Sequence, residues 1–191
     1  MRTLILCLGD ERVADDGIGA EIGQILQSLP LPESIQVRVA ARLRMDILDE
    51  LATVDHLVIV DALAADAKPG SCTVVDVTQD TAALVASGCY HASDVRDLIH
   101  LAREVAPAGT ECSVTIAGVE GEYRERHGWV FSHAARSAVP RLVDLLLMVT
   151  GAGLKIRLLA SDTLRLEQRP RFVASPSYEW SEAKEQAAYL Q

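Results

Sequence analysis

Positive charge is what this 191-residue sequence lacks most plainly: 18 Lys and Arg stand against 27 Asp and Glu, a formal net charge of -9. Phosphate backbones and anionic membrane surfaces are held by clustered basic side chains, so the acidic excess argues against nucleic-acid and membrane partners. No uninterrupted apolar run reaches the roughly 20 residues that would span a bilayer. The cysteines Cys7, Cys72, Cys89 and Cys112 fall far apart with no Cys-x-x-Cys pair, which excludes a zinc ribbon and a dithiol redox site. They are expected to be small buried hydrophobes in a reducing compartment. Residues 1–8 carry one Arg and a short apolar run without a small-residue cleavage site. A first strand fits that pattern better than a signal peptide, and a cytoplasmic location is expected.

What is present is a chain nearly half apolar, enough for one domain with a sizeable core and little room for a second. Thr3 to Leu8 is a solid apolar run ending at Gly9, as in a strand buried on both faces. Ile18, Ile22, Ile25, Leu26 and Leu29 have helical spacing, closed by Pro30 and Pro32. Strands are expected over 35–40 and 56–60, the latter capped by Asp61, with a short helix over 45–51 between them. A strand over 73–77, at an edge, should follow the Pro69-Gly70 turn, then a helix through Val95, Leu98, Ile99, Ala102 and Val105, and a strand over 113–119. The last helix should lie within 132–149, with Pro140 at its first turn or kinking it. Strands separated by helices predict an α/β fold: three layers, α/β/α, with a mostly parallel twisted sheet of about five or six strands. From Gly151 the character changes to a Gly-Ala-Gly break and a polar, Pro-containing stretch. We therefore expect a domain over 1–150 and a C-terminal extension over 151–191, packed or mobile, with Ser181 capping a last helix.

In open parallel sheets, functional groups gather beyond the carboxyl ends of the strands. Asp15-Asp16-Gly17 lies between the first strand and its helix, Asp61 ends the third strand, and His91 precedes a helix begun by Ser93 or Asp94. An Asp at a helix start often serves only as an N-cap, and that reading stands beside the functional one for Asp15 and Asp16. A carboxylate carried to the end of a buried strand is costly to desolvate unless a cation or donors meet it. Two carboxylates and an imidazole in one crevice call for a divalent metal, and such an N/O set suits zinc or nickel. The other histidines carry less: His100 shares a polar helix side with Asp97 and Arg103, His56 should face solvent, and His127 and His133 flank a loop. Cys89, two residues from His91, resembles a dyad, yet neighbours at that spacing seldom aim at one point, and a structural thiol is the expectation.

The run Leu8-Gly9-Asp10-Glu11 through Ala14-Asp15-Asp16-Gly17-Ile18-Gly19, the segment Leu57-Val58-Ile59-Val60-Asp61-Ala62, and His91-Ala92-Ser93-Asp94 with Leu98 and Leu101 resemble the hydrogenase maturation proteases. Ser113 to Gly118 and Phe131-Ser132 extend the resemblance over about residues 3 to 149. It implies an endopeptidase that removes the C-terminal extension of a nickel-iron hydrogenase large-subunit precursor once nickel is installed. It also implies that Asp16, Asp61 and His91 are the catalytic, metal-binding positions and that nickel comes with the precursor, other divalent metals being able to occupy the site in vitro. Cys7 and Asp10 replace the first Gly and the Asn of the family's Gly-x-Gly-Asn loop, and Ala41-Arg42-Leu43-Arg44 stands where its glycine-threonine box would be.

Two other readings use the same residues. A non-catalytic relative would hold the precursor as a chaperone does. A phospho-receiver module would place magnesium on the acidic residues, but it needs a Lys after a later strand, where this chain has Glu120-Gly121-Glu122. Serine or cysteine protease chemistry is the remaining enzyme alternative, and no Gly-x-Ser-x-Gly elbow is present to support the serine form.

Overall fold

The computed structural model describes residues 1–43, 45–79, 81–105, 112–122, 128 and 130–152. The strands are β1 (Thr3–Leu8), β2 (Ile35–Ala40), β3 (His56–Leu63), β4 (Cys72–Asp76) and β5 (Ser113–Glu120). The α-helices are α1 (Ile18–Gln27), α2 (Leu48–Leu51), α3 (Thr81–Ala86), α4 (Ala92–Val105) and α5 (His133–Val149). Among the described residues the strands form one sheet, in the order β2-β1-β3-β5-β4, parallel except for the antiparallel edge strand β4. This is the α/β/α architecture expected from the sequence, with five strands.

Side-chain alternation along each strand divides the core in two. Ile5, Cys7, Val58, Val60, Ala117 and Val119 face α1 and α5, whereas Leu4, Leu6, Leu57, Ile59, Leu63 and Ile116 face α2, α3 and α4. Each Val, Leu or Ile among them, removed from water, stabilises the fold by about 1.5–3 kcal/mol. Because α1 and α2 cover opposite faces, the chain leaves β1 in one direction and returns to place β3 on its other side. The crevice at the ends of β1 and β3 is therefore the topological switch point of the sheet.

Helix α1 lies unusually close to the strands. A Cβ on Gly19 would sit 2.0 Å from the Leu8 carbonyl oxygen and 2.8 Å from that of Val60, so only a hydrogen fits there. Pro140 lies inside α5 rather than in its first turn. It is exposed, as is Arg136 one turn earlier, whose carbonyl loses its helical partner to the proline. Short helix α3, with its Thr-Ala-Ala-Leu-Val-Ala sequence, has no counterpart in the sequence reading. The expected extension beyond Gly151 and its Ser181-capped helix fall almost wholly on residues 153–191, outside the described residues.

Gly19→Ala should destabilise the protein by about 3 kcal/mol or more, because the added methyl meets backbone rather than a movable side chain. Urea unfolding checks this, and a loss below about 0.5 kcal/mol would mean that α1 is free to move off the sheet.

Candidate active site at the sheet switch point

The loop leaving β1 is shaped for close approach. Gly9 has φ +139°, and a Cβ there would fall 1.9 Å from the Asp16 carbonyl oxygen, so this backbone conformation delivers Asp16 directly to the strand end. The chain then makes a 3-10 turn over Ala14–Gly17. Ala14 takes a left-handed φ of 33°, a conformation that costs a non-glycine residue about 1–2 kcal/mol. It is held there by its N–H, which donates to the Gly128 carbonyl at 2.8 Å, while the Gly128 N–H donates to Arg12.

Neither acid of the Asp15-Asp16 pair caps a helix, since the N-cap of α1 is Gly17 and that of the preceding 3-10 turn is Val13, neither with a side-chain cap. Asp15 is fully buried and accepts the backbone N–H of Ser132 at 2.6 Å and that of Glu122 at 2.8 Å. It thereby ties the β1 loop to the segment after β5 and to the start of α5, whose N-cap is Ser132. Asp15 is a structural strut that sequence reading missed, because its donors lie 107 and 117 positions away. Asp16 is half-buried, and its Oδ2 accepts the Asp10 N–H at 2.6 Å. Burial first, and then the negative charges of Asp61 and Asp10, raise its pKa against the opposing effects of that hydrogen bond and of His91.

Asp61 does not cap its strand: β3 runs on to Leu63. It is fully buried and, by alternation, shares the face of Ile59 and Leu63, the face covered by α4. The segment before α4 folds against the end of β3 through Ala64 N–H to Gly88, Tyr90 N–H to Ala62 and a Leu63–Cys89 bridge. That docking aims both Cys89 and His91 at Asp61. Oδ2 accepts the Cys89 thiol at 3.0 Å, the His91 backbone N–H at 3.1 Å and the His91 Nδ1–H at 3.0 Å, while Oδ1 accepts the Ala62 N–H at 2.8 Å. The expectation that Cys89 and His91 would not share a target is thus incorrect. Both donate to Asp61 Oδ2, and burial together with the Asp61 carboxylate raises the thiol pKa, the opposite of what a nucleophilic dyad needs.

The ligand-capable atoms of Asp16, Asp61 and His91 all lie within 4.8 Å of one another. With Nδ1 engaged by Asp61, the imidazole keeps Nε2 for a further partner, the arrangement in which a carboxylate fixes the tautomer of a metal-binding histidine. The Asp61 hydrogen bond raises the His91 pKa despite burial, with the charges of Asp61, Asp16 and Asp94 adding to it.

The remaining histidines divide. His56 is buried, contrary to the solvent-facing position expected for it, and its Nε2 lies 2.9 Å from the Thr115 hydroxyl on β5. Burial lowers its pKa. His100 and His133 are exposed, and His127 lies outside the described residues.

Comparison with known proteins decides the lineage. The HycI model, described as hydrogenase maturation protease, matches residues 31–149, more than half of the chain. The chain belongs to the hydrogenase maturation protease family. Its fold is similar to that of the hydrogenase maturating endopeptidase HybD from E. coli, at 21% identity and a TM-score of 0.68 over 79% of this chain and 93% of that one. It is also similar to the [NiFe] hydrogenase maturation protease HybD from Thermococcus kodakarensis, at 23% identity and a TM-score of 0.63 over 78% and 99% of the two chains. A hydrogenase 3 maturation protease aligns at 21% identity and a TM-score of 0.59 over 80% of this chain and 94% of that one. Among curated proteins no match is found. Membership in the hydrogenase maturation protease family supports protease activity. Among the described residues no helix is long and apolar enough to cross a membrane.

The raised His91 pKa has a consequence for stability. Because it exceeds the unfolded-state value of about 6.5, the Asp61–His91 pairing contributes fully below that pH and fades as pH rises through the folded-state pKa. Asp61→Asn should bring the His91 midpoint down toward the ordinary imidazole value in an NMR titration of the metal-free protein. An unchanged midpoint would contradict the pairing.

Proposed function

We propose that this protein is a metal-dependent endopeptidase that removes the C-terminal extension of a nickel-iron hydrogenase large-subunit precursor after nickel insertion. The observation that carries this reading is the convergence of Asp16, Asp61 and His91, from three separate segments, on one point at the sheet's switch point. Two carboxylates and an imidazole offer N and O donors that suit a borderline divalent ion and leave coordination positions open. The acids suit a cation electrostatically as well: burial and the Asp61 charge already make ionised Asp16 unfavourable, and a positive ion would relieve both.

Nickel enters this account as cargo of the substrate. The precursor presents its metal together with the peptide bond to be cut, so the three side chains meet a loaded precursor and have no shared partner on an empty one. Asp16 approaches from the β1 loop and Asp61 from the sheet floor, while His91 offers Nε2 with its ring fixed by Asp61. Their engagement orients the scissile peptide against the crevice. The metal supplies Lewis-acid polarisation of the peptide carbonyl or of the attacking water, which adds across the C–N bond and releases the extension.

In this reading residues 1–150 form the protease unit and residues 151–191 an extension to it. The protein works in the cytoplasm, consistent with four free cysteines, two of them buried.

Asp16→Ala should lower cleavage of a nickel-loaded precursor by at least about a hundredfold, the scale set by several kcal/mol of lost transition-state stabilisation. A gel-shift assay of precursor processing measures it. Cleavage at the wild-type rate would remove Asp16 from the site, whereas retained binding with no cleavage by the wild-type protein would indicate a precursor-holding chaperone.

A further inference from the structure

Asp61 Oδ2 receives three donors, one more than its two in-plane lone pairs accommodate ideally, whereas Oδ1 receives one. Two of the three come from His91 itself. The third, the Cys89 thiol, comes from a buried side chain with no place in the proposed chemistry. We propose that Cys89 is a positioning residue of this site: its S–H occupies Asp61 Oδ2, which fixes the carboxylate, holds the His91 ring against it and leaves Oδ1 as the oxygen open to a cation. This rests on the assignment of Asp61 and His91 to the nickel-meeting site.

A carboxylate turns about one bond, so donors on both oxygens are needed to define its plane, and at Oδ2 the two His91 donors move with the segment that they are meant to position. Cys89 supplies an anchor from a residue separately tied to β3 through its bridge with Leu63. At 3.0 Å from Asp61 Oδ2, Cys89 Sγ donates its hydrogen to the carboxylate, and a thiol engaged in this way leaves the nickel to the N and O ligands. Serine could replace it in this role, since a hydroxyl also donates; alanine and valine could not.

Two measurements on metal-free protein test this independently of proteolysis. The infrared S–H band lost in Cys89→Ser should lie at lower frequency in the wild type than in Asp61→Ala, and equal frequencies would overturn the thiol–carboxylate bond. Solvent exchange of the His91 Nδ1 proton, followed by NMR, should accelerate about tenfold in Cys89→Ala and Cys89→Val and stay near the wild-type rate in Cys89→Ser, the scale of losing an outer-shell partner. Equal rates in all four proteins would overturn the positioning role, as would a Ser variant that exchanges as fast as Ala. With nickel-loaded precursor, kcat should follow the same order at unchanged KM. If the wild type fails to cleave while the exchange order holds, the proteolytic reading falls and the positioning of His91 by Cys89 stands.

Discussion

A single buried carboxylate organises the site. Asp61 sits on β3, next to the strand from which the chain turns toward both sheet edges, and it is fully removed from water. An unsatisfied carboxylate in such a place would cost several kcal/mol. The fold meets that cost with four donors, three of them from the segment Cys89–His91. The same contacts that make Asp61 tolerable also bring His91 to the crevice, so the electrostatic requirement of one residue sets the geometry of another.

The second acid arrives by a different route. Asp16 hangs on a loop that needs glycine at position 9, strains Ala14 and is held by Asp15, whose carboxylate reaches backbone N–H groups on the far side of the crevice. Adjacent acids thus have separate duties: Asp15 braces the loop, and Asp16 is left half-buried beside Asp61 and His91. Strain at one position, offset by hydrogen bonds at its neighbours, is a common way to hold a side chain where it is needed for function.

Much of this was legible in the sequence, because apolar runs and helical spacing depend on local periodicity. The solid run before Asp61 and the spacing from Ile18 to Leu26 give the buried strand and the amphipathic helix at nearly their observed positions. Even the antiparallel edge strand β4 is signalled by the turn at Pro69-Gly70. What escaped reading depends on distant partners. His56 is buried because Thr115, two strands' connections later, offers it a hydroxyl. Asp15 is a strut because of donors more than a hundred residues on. Cys89 and His91 aim at one atom because the chain doubles back on the end of β3, which their spacing alone does not reveal. Short helix α3 carries no periodic signal, since six residues complete fewer than two turns.

The central claim is that Asp16, Asp61 and His91 meet the nickel carried by a precursor. Nickel X-ray absorption of a loaded hydrogenase large-subunit precursor, recorded alone and then bound to this protein, tests it most directly. The account predicts new oxygen and imidazole scatterers in the nickel shell on binding, lost when Asp16 and His91 are both replaced by alanine. A nickel shell unchanged by formation of the complex would contradict it.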